Sequence, residues 1–337
     1  MTDFEDEHAA YAASRSSSYV YVPPNVDDSA LSNYADTLDV LQPLPLVILG
    51  ERGSGKSSLL STWLQKREAK KAREEFLFMH FAGCSPRSGQ LQNMLNRLVT
   101  ALKSHFQLRE MEVPKSEEGL RWSLGRFLAA SAAKCRRGRI VIVIDGADVI
   151  QGEGVQRGML HWLPTDLPSC VRFILSTAEF DKGSSSSNGG KGGFRRLHRT
   201  FTELSRRKCP VLRLESLGVE VRHGIINEFQ SKFQQSFELN DKQAFKIVTA
   251  RPSSEPLFLR TVLYALSLGV EMSDATIDEQ LDYYLAADSP DALISQILDQ
   301  CASYIEKIHA TTQVSVRATA IATMKTFALT KYKTLSR

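Results

Sequence analysis

The stretch "PLVILGERGSGKSSLLSTWL", residues 45–64, constrains the fold more than any other part of the chain. The run "LPLVILG" is apolar without interruption and of strand length, which suits a strand buried on both faces of a parallel sheet. It ends in a glycine-rich turn, and from Ser57 the text turns helical, "SSLLSTWLQKREAKKAREE". Gly50, Gly55, Lys56 and Ser57 satisfy GxxxxGK[ST], the Walker A pattern, between a strand and a helix as its mechanism requires.

The chemistry assigns each position a task. Phosphate oxygens carry several negative charges, and a loop whose backbone N–H groups point inward at the positive end of a helix binds them without side-chain bulk. Gly50, Gly53, Ser54 and Gly55 supply that loop. Lys56 is expected to reach the β- and γ-phosphates, and the Ser57 hydroxyl to coordinate Mg²⁺. Ser58 is a weaker candidate for an α-phosphate contact.

Such a loop needs an acidic residue at the end of a neighbouring strand to hold the Mg²⁺ shell. "IVIVIDGADV" supplies Asp145, a Walker B pattern, after the most apolar strand in the chain. Asp148 lies three residues further on, where it either orients an attacking water as a general base or caps a following helix. Ser176 and Thr177 end the next strand; they are either γ-phosphate sensors or ordinary strand-end hydroxyls.

Further strands are expected at "FLFMHFAG", "CVRFILST" and, as an edge strand because of Pro210, "CPVLRLESL". Between them, Leu91, Met94, Leu95, Leu98 and Leu102 share one helical face, and "GLRWSLGRFLAASAAKC" forms another helix. Alternation of this kind implies right-handed βαβ units and a parallel sheet. The 337 residues exceed one ordinary core, and from about residue 219 the pattern is wholly helical. The organisation read from this is a disordered N-terminus at 1–18, an α/β domain at 19–218 with a flexible Gly/Ser loop at 182–193, a helical lid at 219–305 and a basic tail at 306–337. Asp27 or Asp28 is expected to cap a short helix before the first strand.

A net charge of +4, from 42 basic and 38 acidic residues, is too mild to argue for nucleic acid. No apolar run approaches the roughly 20 residues of a membrane helix. Five scattered cysteines without a CxxC pair fit a reduced compartment, so a cytoplasmic protein is expected.

The order of phosphate loop, "IVIVIDGADVI", "LPSCVRFILST" and helical region resembles the STAND class of P-loop NTPases, of NACHT and AAA-like type. "YVPP", "HFAGCSP", "EPLFLRTVLYALSLGV" and "LDYYLAADSPDALISQIL" resemble its nephrocystin-type branch. The resemblance implies a three-layer α/β/α P-loop NTPase fold with a parallel sheet, followed by an all-helical lid. It also implies ATP or ADP as ligand with Mg²⁺, slow hydrolysis, and protein partners bound through a missing or separate repeat region. Lys56 and Ser57 would bind phosphate and metal, Asp145 would be the Mg²⁺-associated acid, and Pro256 would match the lid proline. Val149 stands where an acidic residue or glutamine is frequent, "STAEF" lacks an arginine, and Ser254 replaces the lid glycine; these departures count against rapid hydrolysis. The alternatives are an AAA+ ATPase, with Arg206 or Arg207 as its finger and Arg196 less suited, and a non-hydrolysing scaffold.

Overall fold

A computed structural model describes residues 2–16, 28–37, 42–70, 75–135, 138–153, 158–180, 196–233, 238–272 and 276–312. Asp27, the 182–193 loop and the end of the basic tail, for which the sequence raised expectations, lie outside these residues. The five strands are β1 (Leu46–Gly50), β2 (Glu75–Phe81), β3 (Arg139–Asp145), β4 (Val171–Ala178) and β5 (Val211–Arg213). They form one sheet in the order β2-β3-β4-β1-β5, with every pairing parallel. Both β1 and β4 are buried along their whole length, as uninterrupted apolar strands covered on two faces must be. Only β5, short and at the edge, is exposed.

Alternation along the strands sorts their side chains into two layers. Val47, Phe78, Ile140, Ile142, Ile144, Phe173 and Leu175 face α4 (Leu91–His105) and α5 (Glu117–Lys134). Leu46, Ile48, Phe81, Val141, Val143 and Ile174 face α2 (Ser29–Asp36) and α3 (Lys56–Ala69). Among the described residues this is a three-layer α/β/α arrangement. Arg67 on α3 ties that second layer together by pairing with Glu75 of β2 at 2.6 Å and with Asp36 of α2 at 2.8 Å.

The N-terminus departs from expectation. Instead of a disordered segment, Thr2–Ser16 form helix α1, which packs against α3 and β2. Its few contacting residues, His8, Tyr11 and Ala12, are spaced i, i+3, i+4, one helical face without an apolar stripe long enough to announce itself. Asp28 sits at the N-cap of α2 but makes no side-chain cap; it pairs with Lys66 at 2.6 Å instead.

After a further helix, α6 (Arg199–Arg206), and β5, the chain becomes α7 (Val219–Phe233), α8 (Asp241–Thr249), a 3-10 turn (Arg251–Ser254), α9 (Pro256–Met272), α10 (Ile277–Leu285) and α11 (Pro290–Thr312). Leu217, Ile226, Phe229, Ile247, Phe258, Leu263, Leu281 and Leu293 enclose a separate apolar core. Capping boxes start α8, from Asn240 and Gln243, and α10, from Thr276 and Glu279. Helix α11 continues past residue 305 to Thr312, so the expected start of a basic tail falls inside a helix.

Candidate phosphate-binding site

The turn between β1 and α3 has the conformation its glycines allow. Gly53 and Gly55 hold φ values of +79° and +94°, in the left-handed region that other residues enter only under strain. Gly55 is the N-cap of α3, where no side chain satisfies the first-turn N–H groups. Lys56, Ser57 and Ser58 therefore open the helix with backbone donors and the positive end of its dipole directed at the turn. A Cβ at Gly55 would meet nothing within 4 Å, so space for a ligand exists beside it.

Lys56 folds back on this turn, its Nζ donating to the carbonyls of Gly50 at 2.8 Å and Glu51 at 2.7 Å. Burial pushes its ammonium below the ordinary lysine range, while Asp148 and Asp145 pull it upward. The charges of both carboxylates thus already act on the lysine that would carry a phosphate. Ser54 is buried; its backbone N–H reaches Glu51 O at 3.3 Å, and its hydroxyl has no hydrogen-bond partner among the described residues.

Ser57 donates to Asp145 Oδ2 at 2.6 Å, and Ser176 donates to Asp145 Oδ1 at 2.5 Å. Asp145 is 5% exposed, and burial raises its carboxyl's proton affinity against the pull of Ser176, Ser57 and Lys56. A hydroxyl and a carboxylate converging at hydrogen-bond distance are hard oxygen ligands of the kind Mg²⁺ takes. The residues present fit that ion.

Three expectations need correction. Asp145 does not end a strand neighbouring β1: β4 lies between β1 and β3. The carboxylate reaches Ser57 across that strand, and β4 fills the gap with Ser176, whose Oγ also accepts from Gly146 N at 2.7 Å. Among the described residues no helix follows Asp148 before β4, so it caps none; it lies buried in the turn that leaves β3. Thr177 points away from Asp145. Ser176 pairs with Ile48 and Thr177 with Leu49, so they face opposite layers, and Thr177 Oγ1 donates to Ala178 O at 3.2 Å. Ser176 is thereby tied to Asp145 rather than aimed outward as a phosphate sensor.

The remaining candidates divide. Pro256 begins α9, whose next residue, Leu257, stands over the phosphate loop: a Cβ on Gly53 would lie 2.9 Å from Leu257 Cβ. Just before it, Ser254 O accepts from Leu217 N at 2.8 Å, joining the helical region to the segment that follows β5. Arg207 is occupied by Leu163 O at 3.1 Å and Glu203 at 2.5 Å, which holds it inside its own domain. Arg206 and Arg196 line an open cavity of about 1000 Å³ beside α6, together with Met159 and His161, and no residue of the phosphate loop lines it. Val149 is buried, its N–H bonded to Gly146 O at 2.8 Å. Tyr11 of α1, which sequence reasoning missed, packs its ring on Phe81, the β2 residue paired with Asp145, with centroids 5.2 Å apart.

Sheet, loop and acidic centre together define a P-loop NTPase domain, a nucleotide-binding class. Residues 44–185 match the NACHT domain, so this part of the chain is a NACHT-type P-loop NTPase domain. Human nephrocystin-3 is 34% identical over 135 residues, covering 39% of this chain and 10% of that protein. A TPR repeat-containing protein of Dictyostelium discoideum is 23% identical over 251 residues, 64% of this chain and 14% of the relative. The chain thus spans a small fraction of the curated relatives it matches. Among solved structures, the Aeropyrum pernix ORC1 protein in complex with DNA aligns with a TM-score of 0.46 and 13% identity over 87% of this chain and 71% of that one. Among the described residues no helix is long and apolar enough to cross a membrane, and all five cysteines are free.

Proposed function

We propose that the chain is an ATP-binding STAND-type module that acts as a slow nucleotide-dependent switch. The α/β part, 19–218, binds Mg²⁺–nucleotide, and the helical part, 219–305, is its lid. Gly50, Gly53, Ser54, Gly55 and Ser58 hold phosphate through backbone and hydroxyl donors, and Lys56 moves from the Gly50 and Glu51 carbonyls onto the β- and γ-oxygens. Mg²⁺, when bound, neutralises charge developing on the transferred phosphoryl group. Ser57 and Asp145 are its protein ligands, with Ser176 orienting Asp145. Asp148, facing Lys56 across the site, orients the attacking water.

The observation that carries the switch reading is the packing of Leu257 on the loop at Gly53. A ligand that reshapes the loop must change its contact with α9, and through Ser254 and Leu217 the seat of the helical region. A switch requires ATP and ADP to contact the two arrangements differently. Hydrogen exchange across α7–α10 should differ between the two nucleotides. Identical protection would refute the switch. Val149, apolar where a second polar group would help position water, and the arginine-free strand end account for slow rather than rapid turnover. Protein partners would be engaged through a repeat region of the kind carried by the relatives' names.

A further inference from the structure

The cavity beside α6 is walled mostly by polar side chains. On the helix itself Arg199, Thr202, Glu203 and Arg206 line it, and their i, i+3, i+4, i+7 spacing is a single helical face. Arg196 lies just before the helix and Arg207 at its C-cap, so the wall carries four guanidinium groups, and among the described residues Glu203 is its one carboxylate. That carboxylate is already engaged. Its Oε1 accepts from Arg207 at 2.5 Å and its Oε2 from Leu160 N at 3.3 Å. The excess positive charge of the wall therefore falls on Arg196, Arg199 and Arg206, all three of them exposed.

This face is held in place from behind. Thr200 and Leu204 are buried on the other side of α6, with Leu204 in the layer of α4 and α5. His198 N donates to Glu179 O at 2.8 Å, Thr200 Oγ1 to Gly158 O at 2.7 Å, and Arg207 to Leu163 O at 3.1 Å. A ligand thus meets arginines mounted on a fixed helix, which lowers the ordering cost of binding. Arg199 and Arg206 stand seven residues apart, roughly 10 Å along the axis. Guanidinium forks engage phosphoryl oxygens two at a time, a match that a point charge lacks. Only Met159 and Leu197 give the lining apolar surface, too little to anchor a peptide by its hydrophobic side chains. A concave space of about 1000 Å³ suits a small molecule. We propose that this cavity binds a soluble, compact polyphosphate, a small molecule bearing several phosphoryl groups, at a site separate from the phosphate loop. The proposal does not rest on the nucleotide reading above.

The test is isothermal titration of the full chain carrying Lys56→Ala, which disables the phosphate loop, with inositol hexakisphosphate and inorganic tripolyphosphate as probes. Saturable binding at one site is expected. Arg199→Ala or Arg206→Ala, added singly, should weaken it by about 10-fold or more, the range of charge-assisted hydrogen bonds. Arg206→Lys should recover only part of that loss, because an ammonium keeps the charge and loses the fork. Both arginines are exposed, and unchanged far-ultraviolet circular dichroism verifies that the variants fold. Affinity for sulfate equal to that for the probes, or no loss in either alanine variant, would overturn the proposal. Tighter, arginine-dependent binding of a single-stranded oligonucleotide would overturn it in favour of a polymer, and binding only to vesicles carrying phosphatidylinositol bisphosphate would overturn it in favour of a lipid headgroup. If Arg206→Ala instead left probe binding unchanged and lowered ATP hydrolysis in a way that grew with protein concentration, that guanidinium would belong to a neighbouring copy's nucleotide and the proposal would fall. Probe binding that depends on these arginines, in a chain whose unmodified form binds no ATP, would sustain the cavity and defeat only the nucleotide reading.

Discussion

Gly53 and Gly55 offer a matched pair of perturbations that isolates the contact between the loop and the helical region. Both hold positive φ, so alanine at either pays left-handed strain of about 1–2 kcal/mol. They differ in what the new methyl meets. At Gly55 there is nothing within 4 Å, whereas at Gly53 the added Cβ lies 2.9 Å from Leu257 Cβ and 3.3 Å from its Cδ2. Carbon atoms pack at about 3.5–4.0 Å, so α9 must retreat by roughly half an ångström or more. Overpacking of that kind costs about 1–3 kcal/mol. Gly55→Ala should therefore destabilise by about 1–2 kcal/mol and Gly53→Ala by about 2–5 kcal/mol. Urea unfolding followed by far-ultraviolet circular dichroism reads both. Adding Leu257→Gly to Gly53→Ala should recover much of the difference, less about 0.5–1 kcal/mol for glycine in a helix, because directly packed sites are not additive. Equal losses from the two alanine variants would show that α9 does not rest on the loop, and the route proposed for the switch would fall with it.

The acidic centre and the buried histidines give further tests. Ser176→Ala removes a donor to Asp145 and strands the Gly146 N–H, so it should cost about 1–3 kcal/mol in urea and weaken Mg²⁺-dependent binding without touching a phosphate contact. Asp148→Asn should leave nucleotide affinity within about twofold and lower single-turnover hydrolysis by about 10²-fold or more, the range of general acid–base terms; unchanged turnover would remove Asp148 from chemistry. Burial holds His8 down to about 2 and His80 to about 3, so both are neutral in the fold while the unfolded chain protonates them. Stability should be full above pH 6.5 and fall as pH drops towards 3, by nearly a tenfold change in the unfolding constant per histidine per pH unit through the middle of that window. A flat profile between pH 6 and 4 would contradict their burial.

The strands were legible because burial on two faces leaves an unbroken apolar text, as in "LVILG" and "RIVIVID". The helices of the last third were legible from periodicity. Helix α6 was not, since only Thr200 and Leu204 of its eight residues turn inward, too few to set a period. Helix α1 escaped for a related reason: "TDFEDEHAAYAASRS" has the composition of a solvated segment, and its docking depends on a histidine and a tyrosine that bury polar atoms as well as rings. No local pattern encodes such a contact, because its partner Phe81 lies 73 positions from His8.

Strand order was hidden for a deeper reason. Each strand's own text states that it is buried, and none states which strand lies beside it. Placing β4 between β1 and β3 separates the phosphate loop from its acid, and the structure closes that distance with side chains: Ser57 from one side, Ser176 from the middle strand, both on Asp145. The inserted strand thus decides between two adjacent hydroxyls. Ser176 shares the face of Ile48, where α3 begins, and Thr177 shares that of Leu49, so alternation sends one to the metal ligand and the other into the opposite layer. A loop that binds phosphate by backbone geometry can be read from its glycines, but the acid that completes it depends on a third strand. That makes Ser176, an ordinary hydroxyl in the text, the residue through which the sheet's topology reaches the site's chemistry.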